Sequence, residues 1–309
     1  MRVADSTVYS TILRSLDGLA ARQLRSQEQL SSGKRISKPS DDPFAFLKSL
    51  TMKNEQSAGQ QYSKNIEETI SWLQTTSDAL TVATSSLQRV GELATEGGDG
   101  TKSQGELDAI ASEVEQILRH LIDVGNTKHL SRSIFAGNQT LTPAFTVAGY
   151  DANGNVATIN YNGDVGVRNI EVGAGQLVAV NELGEAPSGA VFRNTAAGVD
   201  IFQTLMDLRD NLLAGNISAV MNTDIANVES CLSSTLSFQT RIGAKQNRLE
   251  SNASALGDRE ADLVKLISDN EDLDYAEAVM EYSEAQTTYE AALAAGARIM
   301  ETTLLDFLR

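Results

Sequence analysis

The sequence predicts a mainly α protein: a long antiparallel helical bundle or coiled coil built from both termini, with a small β-rich domain inserted between them. Three observations predict it. The four prolines are Pro39, Pro43, Pro143 and Pro187, so residues 44–135 and 188–309 run without a helix breaker of that kind. Apolar residues recur at heptad spacing near the two ends. Between them, residues 136–190 hold nine glycines, one arginine (Arg168) and no lysine, and their short Val/Ile/Thr/Tyr runs have the look of strands.

The first helix carries a loose stripe of Tyr9, Ile12 or Leu13, Leu16, Ala20, Leu24 and Leu30. It stops in "QLSSGKRISKPSDDP", Gln29 to Pro43. Gly33 suits a helix C-terminus, and Lys34, Arg35 and Lys38 suit the negative end of the helix dipole. Ser40, Asp41 or Asp42 can cap the next helix, with Pro43 at its first position. The Gly-Lys pair is no phosphate loop. Arg35 follows Lys34 where Ser or Thr is needed, Glu28 stands in place of the first glycine, and no apolar strand precedes it.

Residues 44–135 read as helix, interrupted by "GGDG" at Gly97 to Gly100. In the glycine-rich middle, "VATINYNG", "VRNIEV" and "QLVAV" read as strands, and Asn153-Gly154 within "DANGN" marks a hairpin. Asp151, Asn153 and Asn155 also start a calcium-loop pattern. It fails at Val156, where the turn glycine belongs, and at Asn162, where a bidentate Glu belongs. Residues 191–267 return to helix, with Ile242, Leu249, Leu256 and Leu263 seven apart and Ala253 and Ile267 at the companion spacing four residues on. Tyr275, Tyr282 and Tyr289 are again seven apart, beside a companion stripe of Ala278, Ala285, Ala292 and Ile299.

Charge suggests what these stripes pair with. Residues 1–40 contain seven basic and three acidic side chains, a net of +4, whereas residues 268–309 contain ten acidic and two basic, a net of −8. Opposite sign and matching repeat predict that the two ends pair as a terminal coiled coil. Its stripes are rich in Ala, Ser and Gln, so two helices alone bury little apolar surface, and copies of the same protein are expected to complete the packing.

The formal charge of −16 disfavours nucleic acid and anionic membranes as partners. One cysteine, Cys231, forms no intramolecular disulfide framework, and His120 and His129 lack ligand spacing, so no metal or other cofactor is expected. "MRVADSTVYSTILRSLDG" lacks the apolar core of a cleaved secretory signal, and no apolar stretch is long enough to span a bilayer. No nucleophile, base and orienting group declare themselves, so catalysis is not expected; the acidic "DNEDLDYAEAVMEY" reads as a solvated or partner-facing helix face.

"LSSGKRISKPSDDPFAF", Leu30 to Phe46, resembles the N-terminal signature of the bacterial flagellin family, matched here by Leu30, Ser31, Ser32, Gly33, Arg35, Ile36, Asp41 and Asp42. "SIFAGNQTLTPAF" (Ser133 to Phe145), "YNGD" (Tyr161 to Asp164) and the closing "LLDFLR", with Leu304, Leu305 and Phe307, are similar to the hook-associated branch of that family. Pro43 departs from the small residue that filament flagellins usually carry there. The likeness is strong at both ends and at 133–145 and weak between 146 and 240.

What the resemblance implies is a non-catalytic flagellar component outside the cell. It would be exported by the flagellar type III apparatus and would act as a structural adaptor between the hook, through another hook-associated protein, and the filament. Implied partners are copies of itself, that neighbouring hook-associated protein, flagellin, and a cytoplasmic export chaperone on the C-terminal helix. A filament flagellin or flagellin-like surface polymer is the alternative. The expected domains are a tube-core coiled coil (1–43 with 268–309), a helical rod (44–135 with 191–267) and an outer β-rich domain (136–190). The residues expected to carry assembly and the hinge are Leu13, Leu16, Leu24, Leu30, Gly33, Arg35, Ile36, Asp41, Asp42, Leu256, Leu263, Tyr275, Tyr282, Tyr289, Ile299, Leu304, Leu305 and Phe307.

Overall fold

The computed structural model describes the backbone of residues 2–307, and the side chains of Thr7 and of residues 10–298. The side chains of Tyr9, Ile299, Leu304, Leu305 and Phe307 therefore lie outside the described residues. In chain order the long helices are α1 (Arg2–Ser32), α2 (Pro43–Gly98) and α3 (Gln104–Gly125), followed by nine short strands, then α4 (Ile201–Leu213), a short α5 (Ile217–Ala219), a π-helical turn (Val220–Asp224), α6 (Ile225–Glu271) and α7 (Tyr275–Phe307). The chain forms two compact units, residues 1–59 with 258–309 and residues 60–257.

In the first unit α1 packs on α7. The pairing is antiparallel: the start of α7 meets Gly33 beyond the end of α1, where Tyr275 Oη lies 2.7 Å from the position of a Gly33 Cβ. Further along α7, Gly296 meets Ile12 and Leu16. The buried and half-buried positions of α7 are Ala278, Tyr282, Ala285, Tyr289, Ala292 and Gly296, a strict three-four alternation that extends the expected stripe. On α1 the matching set is Ile12, Leu16, Leu19, Gln23, Ser26 and Leu30, spaced four, three, four, three, four. Such spacing keeps one face turned to the partner along the whole coil.

In the second unit, helix faces and sheets share one hydrophobic core. Its centre is aromatic: Phe135, Phe145, Phe192 and Phe202 are all almost fully buried. Phe145 meets Phe202 edge-on at 4.9 Å, and Phe192 stacks on Phe202 at 5.4 Å. The rings fit because Gly125 and Gly184 approach them closely, and a Cβ at either would come within 3 Å of Phe145.

The strands form small sheets. β1 (Lys128–His129) pairs with β2 (Arg132–Ser133), β3 (Phe145–Tyr150) with β4 (Val156–Tyr161), and β5 (Asn169–Gly173) with β6 (Gln176–Ala179), all antiparallel. β7 (Leu183–Ala186) runs parallel to β8 (Ala190–Asn194), which pairs antiparallel with β9 (Val199–Asp200). The "DANGN" hairpin forms as expected, with Gly154 at φ +81°. Asp151 Oδ1 accepts the Asn153 and Asn155 N–H groups at 2.8 Å, so the alternate polar residues serve the turn.

Two boundaries differ from the sequence reading. Strand pairing starts at Lys128, inside a stretch expected to be helix, because α3 ends at Gly125. It also continues to Asp200, ten residues past the expected limit, where Asp200 caps α4 by accepting the Gln203 N–H at 2.9 Å. The β region has no separate core. Arg209 on α4 donates to Glu115 on α3 and to the Val156 carbonyl on β4, both at 2.7 Å, while Glu115 accepts the Val156 N–H at 3.1 Å. Arg209 and Glu115 are buried, and each satisfies the other, which is the condition for tolerating charge in a core.

Candidate assembly site

The joint between α1 and α2 is built from the stretch that looks least regular in sequence. Gly33 at φ +70° ends α1, and its N–H donates to the Gln29 carbonyl at 2.8 Å, the left-handed cap that glycine makes without strain. Asp41 Oδ2 accepts the Ser37 and Lys38 N–H groups at 3.1 and 3.0 Å. Those backbone donors, Lys38 first, hold its carboxyl below the usual range, helped by Arg25 at 3.4 Å. Asp42 Oδ1 accepts the Phe44 and Ala45 N–H groups at 3.1 and 3.0 Å and so caps α2, with Pro43 as its first residue. Ile36 is buried in this loop.

A second break lies against the first, and the sequence reading does not anticipate it. The α6–α7 connection has neither glycine nor proline. Asp274 caps α7 by accepting the Ala276 N–H at 2.9 Å and the Glu277 N–H at 3.3 Å. The two breaks are joined by backbone pairing. Arg35 N–H donates to the Glu271 carbonyl at 2.7 Å, Leu273 N–H donates to the Gly33 carbonyl at 3.0 Å, and Lys34 bridges Asp272 in antiparallel fashion.

Arg35 adds a guanidinium hydrogen bond to the Asn270 carbonyl at 3.0 Å. Asn270 in turn donates to the Ala45 carbonyl and Ser49 Oγ of α2, at 2.9 and 3.0 Å. Glu271 closes the clasp. It is 3 % exposed, accepts from Lys34 Nζ at 2.8 Å, and pairs with Lys53 through its other oxygen. Burial alone would raise its carboxyl; hydrogen bonds from Lys34, Lys53 and Ser49 outweigh that and lower it to about 2.

Of the residues expected to carry assembly, Leu16 and Leu30 lie in the α1 seam, and Tyr282 and Tyr289 lie in the α7 seam. Leu13 and Leu24 do not: both are exposed, Leu24 to 61 %, and lie beside the repeat rather than on it. The correct repeat passes through Gln23 and Ser26, and a search for apolar residues steps off the seam at those polar positions. Tyr275 occupies a seam position by spacing but is largely exposed at the start of its helix, its hydroxyl against Gly33. Leu263 is buried within the first unit, and Leu256 packs on the core of the second, so both serve the protein's own interior.

The seam is thin, and several apolar side chains lie outside it among the polar ones. Leu13, Leu24, Val279, Met280 and Leu293 are exposed on α1 and α7, and Phe44, 87 % exposed, stands with Leu47 at the start of α2. Exposed apolar side chains of this size are available to a partner. Beside Leu19 and Ser26, the cations Arg22 and Arg25 line one groove with Glu281 and Glu284, so opposite charges of the two ends share that groove.

These features define a mainly helical protein whose two chain ends fold together. The bacterial flagellin N-terminal helical region matches residues 3–140 and the C-terminal helical region matches residues 225–308, together well over half of the chain. The chain belongs to the bacterial flagellin family. It is similar to the flagellar hook-associated protein 3 of Escherichia coli (strain K12), 22 % identical over 94 % of this chain and 95 % of that protein, and to the flagellin of Bacillus subtilis (strain 168), 25 % identical over the full length of both. Among solved structures it is similar to a flagellar hook-associated protein described for Vibrio parahaemolyticus (TM-score 0.65, 20 % identity, 75 % of this chain and all of that one). It is also similar to hook-associated protein-3 of Legionella pneumophila (TM-score 0.58, 20 % identity, 70 % and 98 %). Among the described residues no group of side chains is arranged to hold a metal ion, and no helix is long and apolar enough to cross a membrane.

Proposed function

We propose that this chain is a structural subunit of the bacterial flagellum that joins the hook, through another hook-associated protein, to the filament. The observation that carries the reading is the α1–α7 coil: a paired-end helical hairpin whose narrow seam includes polar Gln23 and Ser26 and small alanines, with several large apolar side chains left exposed outside it. A coil of this kind gains its packing from neighbours, so polymerisation completes the fold. Likeness over nearly the whole length to hook-associated protein 3 favours the junction over the filament.

In this reading residues 1–43 and 268–309 line a tube core, residues 44–135 and 191–267 form the surrounding helical shell, and residues 136–190 face outward. One end of the subunit ring meets the hook side and the other the filament side, a head-to-tail arrangement. Its task is mechanical: torque passes through many side-by-side helix seams. Before assembly, a cytoplasmic export chaperone holds α7, and the chain leaves through the flagellar type III apparatus.

A specific observation keeps filament flagellin as the second reading, namely the end-to-end match to the Bacillus subtilis protein. Seeding experiments separate the two. Purified protein added to isolated hooks that carry the neighbouring hook-associated protein should cap their ends and stay soluble alone; long filaments grown without a partner would exclude the junction reading.

A further inference from the structure

Residues 60–257 contain a pocket that assembly through the terminal coil leaves unused. Trp72 on α2 is 3 % exposed and is the one tryptophan of the chain. The Arg168 guanidinium stacks over its ring at 4.2 Å, and the His129 ring meets it edge-on at 5.6 Å. Thr75 Oγ1 fixes His129 through a 2.9 Å hydrogen bond to Nδ1. Arg132 stands opposite His129 in the β1–β2 ladder and, with Glu68 and Leu130, completes the wall of a cavity of about 460 Å³.

Two donors in this wall, Arg168 Nε and Trp72 Nε1, are buried with no acceptor in the protein. Neither Arg168 nor Arg132 makes an ion pair among the described residues, although the chain carries an excess of carboxylates. Burial, and then the nearby Arg132 charge, act against the Arg168 cation, while Glu68 offsets them in part. A half-buried guanidinium beside a second one, backed by an aromatic face, is a receptor for an anion. A planar carboxylate fits it better than a phosphate. The stacked guanidinium presents a flat edge, and Glu68 at the rim repels the doubly charged head of a phosphate more than a single carboxylate head, whose second charge, where there is one, sits at the far end of an aliphatic stem.

The rim also supplies apolar contact. The two-residue β1–β2 turn is made by Leu130 and Ser131 at φ +47° and +67°, where Asn-Gly is the usual choice. That strained turn holds Leu130, 85 % exposed, at the mouth and sets His129 beside Arg132. We propose that this pocket binds a carboxylate on an aliphatic stem, the chemistry of an exposed Glu or Asp side chain of a neighbouring copy or of a free dicarboxylate. The proposal does not rest on the flagellar reading.

Because Trp72 is the sole tryptophan, its fluorescence in the intact chain reports on this pocket alone. The full chain is titrated at constant ionic strength with glutarate, and separately with a spectrally silent Trp72→Phe copy. A saturable change in emission is expected in at least one arm, weakened about tenfold, or 1.4 kcal/mol, by Arg132→Gln. Arg132 is exposed, so its loss leaves the fold intact. Arg168→Gln should abolish the change and Arg168→Lys should retain part of it. Saturation by glutarate assigns a free acid, and saturation by the copy alone assigns a neighbour's side chain. Emission that changes in neither arm overturns the proposal, as does a response unaffected by Arg132→Gln or one that inorganic phosphate reproduces at the same concentration.

Discussion

At Gly33 a single missing Cβ decides how two helices end together. Its φ of +70° costs an L side chain about 1–2 kcal/mol, and a Cβ there would also lie 2.7 Å from Tyr275 Oη. Gly33→Ala should therefore lower the thermal midpoint by more than the backbone cost alone, and Tyr275→Phe in the same chain should restore part of the loss. A calorimetric comparison of the two variants checks this. Glu271 carries the companion prediction. Its carboxyl ionises at about 2 in the fold instead of an ordinary 4.5. The stabilisation is thus complete above the ordinary value and is lost as pH falls through the folded one. The shift corresponds to roughly 3 kcal/mol, reduced in practice because both lysine partners are part-exposed. Melting curves taken from about pH 6 down to about pH 3 should show an acid-side loss that Glu271→Gln flattens. Gly33 and Asp42 are legible in sequence because caps are local, set by a residue and its next few neighbours. Glu271 is not, since its partners Lys34 and Lys53 lie more than 200 positions away.

The helices and strands record a different balance between pattern and packing. The α7 repeat can be read directly, because Tyr and Ala alternate at three and four residues from Tyr275 onward. In α1 the same repeat is concealed, since Gln23 and Ser26 occupy two of its positions and Leu13 and Leu24 sit beside it. Gln23→Leu should strengthen the coil by about 1 kcal/mol, seen as more helix by circular dichroism and slower proteolysis of α1. Leu24→Gln should leave the isolated chain unchanged in the same measurements and impair assembly instead. Reversing Arg14, Arg22 and Arg25 to Glu removes the basic character of α1 and, at Arg22 and Arg25, sets like charges in the groove shared with Glu281 and Glu284. Assembly should suffer more at low salt than at high, because salt screens the altered interaction; equal assembly at both would refute the role of paired charge. The β elements are legible where turn chemistry is strong, as at Asn153-Gly154. Their outer limits are not, because the two-residue β1, β2 and β9 pair with little pattern of their own.

For the whole molecule, the sequence reading captures the class: helical ends, a β-rich middle, and a thin terminal coil. It misplaces the core. The middle segment is not an independent body, since Phe145 and Phe192 of its strands pack on Phe202 of α4, and Arg209 ties β4 to α3 through Glu115. Contacts between segments far apart in sequence leave no local signature, and the glycine-rich composition pointed only to the strands. Limited proteolysis of the dilute chain should trim both ends together, about 40 residues each, and leave a core of residues 44–267. The central claim is that this chain forms a short junction whose paired ends complete their fold against neighbouring subunits. A cryo-electron map of the hook–filament junction tests it most directly. The account predicts a single short tier between hook and filament, with α1 and α7 lining the channel and the β-rich segment outside. The same subunit repeating along the filament, or the β-rich segment lining the channel, would contradict it.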